Sequence, residues 1–303
     1  MKGRRKLTMS KHLFFCKILI ALVLVGLIAP MSQAAQPLNI VVTDLEGLEE
    51  VQREFGPFQE LLEKKTGLGF QFFPVTSRTA AAEAIKAKKA DFVLTGPAEY
   101  VVMRKLTNCE PIIGFSRPDY FSAIIVKADS GINRVVDLKG KKVAMSDVGS
   151  TSGHLGPCQV MMDCGLNPKK DIQIIHTSKE IAWESLKKGD VAAWGYNATS
   201  FIRFRDKDTS VNPGAFKTIA RGPDFPNDVL VAGAHVDKEI IKKVVTAITE
   251  NSDELIREIL KGEDNQKYKG MQFLANIKDE DYDYIREMYR TIGQSQFAAF
   301  VGD

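Results

Sequence analysis

Histidine, cysteine and tryptophan are scarce here, at four, four and two of 303 residues. No His-Glu-x-x-His helix, no Cys-x-x-Cys pair and no Walker-type Gly-Lys-Ser/Thr loop occurs, so zinc-helix, paired-thiol and P-loop chemistry are excluded and no cofactor is expected. Beyond the first 35 residues no apolar run approaches the ~20 residues that span a bilayer. Neither charge sign dominates: 41 Lys and Arg stand against 38 Asp and Glu. Six of those bases, and none of the acids, lie before residue 36, which leaves 35 bases against 38 acids, a net of −3. Nucleic acid binding, which usually needs a clustered basic face, is not expected.

The early bases Lys2, Arg4, Arg5, Lys6, Lys11 and Lys17 precede an apolar run, Ile18 to Ala29, and a small-residue stretch ending Ala34-Ala35. This is the pattern of a secretory signal peptide over residues 1–35, with an uncleaved anchor as the alternative. Cys16 has no Leu-x-Gly-type lipobox before it, so no lipid anchor is expected. The exported chain keeps Cys109, Cys158 and Cys164, and an odd number leaves at least one thiol unpaired within the chain. Cys158 and Cys164 fall on opposite faces of one predicted helix and should not bond. Buried, inert thiols are the expectation, with a soft-ligand site as the alternative.

Strand and helix patterns alternate. Leu38 to Thr43, Phe70 to Val75 and Asp91 to Thr95 read as strands, separated by helices at Val51 to Lys65 and from Thr76 to about Lys88. The pattern restarts at Val143 and runs through Ile172–His176 and Val191–Gly195. It ends in helices after Val236. The predicted fold is α/β: two lobes with mixed, mostly parallel sheets and a hinge between them. The expected organisation is residues 36–123 in lobe 1, 124–222 in lobe 2, and 223–303 returning to lobe 1. Ligands in such folds sit at the carboxyl ends of strands. Thr43-Asp44, Arg78, Thr95-Gly96 and the Tyr120 loop fall near that edge.

The stretch Gly149-Ser150-Thr151-Ser152-Gly153 lies between the strand Lys142–Met145 and a predicted helix from Thr151 to Cys164. Three hydroxyls between two glycines at a helix start aim donors at one point, where the helix dipole favours an anion. A tetrahedral oxyanion fits there without a metal. A simple N-cap is the plainer reading of any one of the three.

With these residues in view, the sequence resembles the periplasmic phosphate/phosphite/phosphonate-binding proteins of ABC transporters, of the type 2 periplasmic-binding fold. Gly149–Gly153 matches that family's Asn-Ser-Thr-Ser-Gly helix start. Supporting matches are Ala90–Pro97, Tyr120–Val126, Leu138–Ala144, Gly189–Ala193 and Pro226-Asn227-Asp228. The resemblance implies that Ser150, Thr151 and Ser152 hold the ligand's oxygens. It places an aromatic contact at Tyr120, a histidine at His176 and a carboxylate at Asp228. Each has a plainer role as well: His176 as a strand-end polar residue, Tyr120 as a hinge aromatic, Asp228 as a turn cap. His154 is expected to belong to the first helical turn rather than to a ligand. Three positions depart from the family pattern. Arg78 and Thr95 stand where aromatics are common, and Asn197 replaces a carboxylate that helps hold the amine of an aminoalkylphosphonate. Arg78 would add paired donors for an oxyanion. The departures favour a small inorganic anion such as phosphate, phosphite or arsenate.

The resemblance implies a monomeric, non-catalytic binding protein in the periplasm that takes a small oxyanion and passes it to an inner-membrane ABC permease. The alternative is an arsenate or arsenite sensor that signals to a membrane histidine kinase. A serine hydrolase is disfavoured, because the order Ser150, His176, Asp228 differs from the Ser, Asp, His order usual for a Gly-x-Ser-x-Gly turn.

Overall fold

The computed structural model describes residues 36–43, 45 and 47–296. The expected signal peptide and Asp44 therefore lie outside the described residues. The first block alternates β1 (Leu38–Val42), α1 (Leu48–Thr66), β2 (Phe70–Phe72), α2 (Arg78–Lys86), β3 (Phe92–Thr95), α3 (Pro97–Thr107) and β4 (Glu110–Phe115). Sequence chemistry sets these limits. Gly67 ends α1 in the left-handed conformation at φ 65°, with its N–H on the Glu63 carbonyl. Glu49 and Glu50 open that helix and Lys64 and Lys65 close it, each matching the dipole. Ser77 caps α2, and Pro97 occupies the first turn of α3.

The second block holds β5 (Ser122–Lys127), β6 (Lys142–Met145), α4 (Gly156–Asp163), α5 (Pro168–Asp171), β7 (Gln173–His176), α6 (Lys179–Lys188), β8 (Ala193–Asn197), α7 (Ala198–Lys207) and β9 (Phe216–Arg221). The chain then returns through β10 (Asp228–Ala232), α8 (Lys238–Glu250), α9 (Ser252–Ile259), β11 (Phe273–Leu274) and α10 (Asp283–Thr291).

Two sheets result, ordered β11-β4-β10-β3-β1-β2 and β7-β6-β8-β5-β9. The blocks β2-β1-β3 and β7-β6-β8 are parallel, as the alternating pattern predicts. β10 and β5 enter antiparallel to their neighbours, because each arrives from the other sheet and runs in from the opposite end. The sheets are therefore mixed. Side chains alternate faces along each strand. Ile40 and Val42 join a core with α1, α8 and α9, while Val41 joins one with α2, α3 and α10. In the second sheet Ile124 and Val126 face α4, and Ala123 and Ile125 face a cluster around Trp183 and Trp194.

The chain passes between the sheets at residues 116–121 and again at 222–227. α10 adds a third tie. Tyr289 donates its hydroxyl to the Ala98 carbonyl at 3.1 Å on one side, and Thr291 bonds Gln159 at 2.5 Å on the other. The predicted helix from Thr151 begins differently from expectation. Residues Thr151–Leu155 form a π-helical turn, with the His154 and Leu155 N–H groups both on the Ser150 carbonyl. Such turns are concentrated at functional sites. Cysteine placement also differs in part. Cys109 and Cys158 are buried as expected, but Cys164, past the end of α4, is exposed.

Candidate functional site

The loop after β6 is built to turn sharply. Gly149 adopts φ 91°, a conformation that costs other residues dearly. Its N–H donates to His154 Nδ1 at 3.0 Å. An accepting Nδ1 is unprotonated, and burial, with His176 nearby, pushes the His154 pKa down to about 4. The two imidazoles meet edge to face at 4.8 Å. His176 Nδ1 lies 2.6 Å from the Ser146 carbonyl, which only accepts, so that nitrogen carries the proton. His154 is thus part of the turn, as expected. His176 also holds this loop from β7.

The three hydroxyls take different partners. Ser150 Oγ accepts the Gly153 N–H at 3.3 Å, the plain N-cap arrangement. Thr151 Oγ1 accepts the Ala98 N–H at 3.2 Å, which joins this helix start to the start of α3 on the other sheet. The Ser152 side chain lies near the Tyr120 phenol, and its carbonyl accepts from Ser122 Oγ at 2.8 Å. An accepting hydroxyl keeps its own hydrogen to donate, so Ser150 and Thr151 remain competent to bind an oxyanion. Two helix starts therefore face each other where the sheets meet, each with a positive dipole end. Gly153 permits the approach: a Cβ there would fall 2.4 Å from Ser146 Cβ.

A cleft of about 910 Å³ opens beside this point, lined by Thr95, Arg117, Tyr120, Tyr196 and Asn197 among others. Three predicted site residues, Thr95, Tyr120 and Asn197, line it directly. Ser150, Thr151, Ser152, His176 and Asp228 do not. Ser152 and Asp228 stand one side chain behind the wall, through Tyr120 and Arg117 respectively. Thr95 accepts from Thr43 Oγ1 at 3.0 Å. Arg78 opens α2, and its side chain lies outside the described ones. Asn197 caps α7, with Oδ1 accepting from the Ser200 N–H at 3.0 Å. Its Nδ2 is buried without a partner, a state that costs about 1–3 kcal/mol.

Arg117 is the main residue that sequence reasoning missed. Its guanidinium stacks on the Tyr120 ring at 3.6 Å and pairs with Asp228 at 3.3 Å. Asp228, 1% exposed, also accepts the Tyr268 hydroxyl at 2.7 Å. The phenol of Tyr120 is raised well above its ordinary pKa, first by burial, with Arg117 opposing. Glu99 was missed as well. It is buried at the third position of α3 and close enough to Gly96 that a Cβ there would lie 2.7 Å from its Oε2. Both carry sequence signals: Arg117 sits three residues before Tyr120 in the crossing, and Glu99 follows Gly96-Pro97 at the acidic first turn of a helix. The cysteines do not gather: Cys109 and Cys158 lie in different cores, and Cys164 is at the surface. Among the described residues no His, Cys, Asp and Glu group is arranged to hold a metal, and no helix is long and apolar enough to cross a membrane.

The family model described as ABC transporter, phosphonate, periplasmic substrate-binding protein matches residues 40–282. The phosphate-import protein PhnD of Mycolicibacterium smegmatis is 26% identical over 261 residues, covering 78% of this chain and 80% of its own. PhnD1 from Prochlorococcus marinus, solved in complex with methylphosphonate, has a TM-score of 0.64 at 18% identity, covering 85% of this chain and 98% of its own. A Xanthomonas citri protein bound to ATP has a TM-score of 0.69 at 13% identity, covering 86% and 98%. At those identities the two structures establish a common fold.

Proposed function

The chain belongs to the phosphonate family of ABC-transporter periplasmic substrate-binding proteins, and from that premise we propose that it captures a phosphite, phosphate or phosphonate between its two lobes. It acts in the periplasm and delivers the ligand to an inner-membrane permease. Residues 36–123 and 223–303 make one lobe and 124–222 the other. The observation that carries this reading is the meeting of two helix starts through Thr151 and Ala98, with the Ser150 and Ser152 hydroxyls on the same turn. Backbone N–H groups, hydroxyls and two dipole ends together replace the water around an oxyanion. Ser150, Thr151 and Ser152 hold the head, and Tyr120 closes over it. His176 fixes the loop, and Asp228 orients Arg117. Nothing in the site supplies an activated nucleophile, since Ser150 Oγ caps its own turn and His176 faces the Ser146 carbonyl.

An arsenite sensor built on thiolates would need its cysteines side by side, and the three are dispersed. Isothermal titration with phosphate, phosphite, methylphosphonate and aminoethylphosphonate tests the reading. At least one should bind, and Ser152→Ala should weaken it about tenfold, the equivalent of ~1.4 kcal/mol. Failure of all four to bind would remove the proposal.

A further inference from the structure

The Gly149–Gly153 turn is closed by two side-chain acceptors. Ser150 Oγ takes the Gly153 N–H at 3.3 Å, and His154 reaches back to take the Gly149 N–H on Nδ1 at 3.0 Å. Shifted by one residue, this is the reciprocal cap that a Ser or Thr hydroxyl and a Glu or Gln side chain share at many helix starts. A glutamate in that role would bring a negative charge to the place where an anion is to be held. A neutral imidazole offers a lone pair without the charge.

The surroundings keep this imidazole uncharged and fixed. His154 is 6% exposed, and burial, with His176 beside it, lowers its pKa to about 4. With Nδ1 accepting, the single ring proton sits on Nε2. His176 meets the ring edge to face at 4.8 Å and is itself anchored, its Nδ1 2.6 Å from the Ser146 carbonyl. The backbone around His154 is tied as well. Ser146 N–H donates to the Gly153 carbonyl at 2.9 Å, and the Ser150 carbonyl accepts the His154 and Leu155 N–H groups at 3.1 and 2.9 Å. The Gly149 and Gly153 N–H groups are thus spent inside the turn. Those of Thr151 and Ser152, at the first two helical positions, have no intrahelical acceptor and are the donors this arrangement offers a ligand.

We infer that His154 is a positioning residue for oxyanion binding, which shapes the turn through an uncharged acceptor and touches no ligand atom. The inference rests on the phosphorus-oxyanion reading given above. Binding then makes two demands on this position. An acceptor must stand where Nδ1 stands, because without it the Gly149 N–H is left unpaired and the turn loses its closing bond. That acceptor must also be neutral, because a carboxylate within one helical turn of a bound anion repels it.

An isosteric pair of variants separates the two demands. The side-chain oxygen of asparagine stands close to where Nδ1 of histidine does, and aspartate differs from asparagine mainly in charge. Titration calorimetry at neutral pH compares the parent, His154→Asn, His154→Asp and His154→Leu with phosphate, phosphite, methylphosphonate and aminoethylphosphonate. For each anion that the parent binds, His154→Asn should stay within about threefold of the parent, and His154→Leu should bind about tenfold more weakly. His154→Asp should bind at least about tenfold more weakly than His154→Asn. Circular dichroism establishes that each variant is folded, and the Asn and Asp variants carry the test if His154→Leu is not. Equal affinity in His154→Asn and His154→Asp, or parental affinity in His154→Leu, would overturn the inference while leaving the oxyanion site standing. Failure of the parent to bind any of the four would overturn the underlying reading instead.

Discussion

Adding one methyl group at Gly153 should destabilise the protein. At Gly153 a Cβ would lie 2.4 Å from Ser146 Cβ, 3.0 Å from Tyr196 Cε2 and 3.1 Å from Ser150 Oγ. Carbon atoms in contact sit ~3.5–4.0 Å apart. The end of β6 and the Gly149–Gly153 turn must therefore separate by about 1 Å. The nearest obstacle is a Cβ fixed to the backbone, so no side-chain rotation relieves it. Overpacking of this kind costs about 1–3 kcal/mol. In a domain of this size that lowers Tm by about 2–4 °C per kcal/mol, or about 2–12 °C in all. Scanning calorimetry of Gly153→Ala against the parent measures the loss. A Gly153→Ala protein that melts with the parent or above it would refute the packing described for the turn.

Thr151→Val keeps shape but leaves the buried Ala98 N–H without its acceptor, and should cost about 1–3 kcal/mol in denaturant unfolding. Acid should act through His154, whose pKa falls from 6.5 to about 4 on folding. Between those values the unfolded chain binds more protons, so stability is lost as pH falls from 6.5 towards 4, by about 3 kcal/mol from this group. Chemical denaturation across that range should show the loss, and it should shrink in His154→Gln. Of the three cysteines after residue 36, only Cys164 should react quickly with a thiol reagent in the native protein. Cys109 and Cys158, whose thiols burial pushes up to about 11 and about 12, should react only on unfolding.

The architecture was legible because its signals are local and repeated. Buried runs such as Ile40–Val42 and Phe92–Thr95 alternate with helices bounded by Ser77, Gly67 and Ser178, and each marker acts within a few residues. The Gly149–Gly153 turn was legible for the same reason. The π-helical start at Thr151 was not, because its hydrogen-bond pattern depends on His154 and Gly149 meeting in three dimensions. Arg117 is locally no more than a connector residue before Tyr120. Its importance comes from Asp228, 111 residues away, and from the Tyr120 ring beneath it. The exposure of Cys164 depends on where α4 stops, and helix ends are the least certain feature of any sequence reading.

A buried carboxylate has to be neutralised, and the contacts around Asp228 show how. Glu54, 1% exposed, accepts the Asp264 N–H at 3.0 Å, while its carbonyl takes Asn265 Nδ2 at 2.8 Å. These bonds hold the turn at 264–268 that presents Tyr268 to Asp228. Arg117 completes the set and continues it to the Tyr120 ring. With Arg117 paired to it, Asp228 adds little net negative charge to the cleft, and the ion pair fixes the guanidinium's position. Removing one member of such a buried pair typically costs about 3–5 kcal/mol, because the survivor is left uncompensated. The effects of Asp228 and Arg117 substitutions should therefore be strongly non-additive. A double-mutant cycle on stability with Asp228→Asn and Arg117→Gln measures this directly. A coupling energy near zero would mean that Asp228 does not set the position of Arg117.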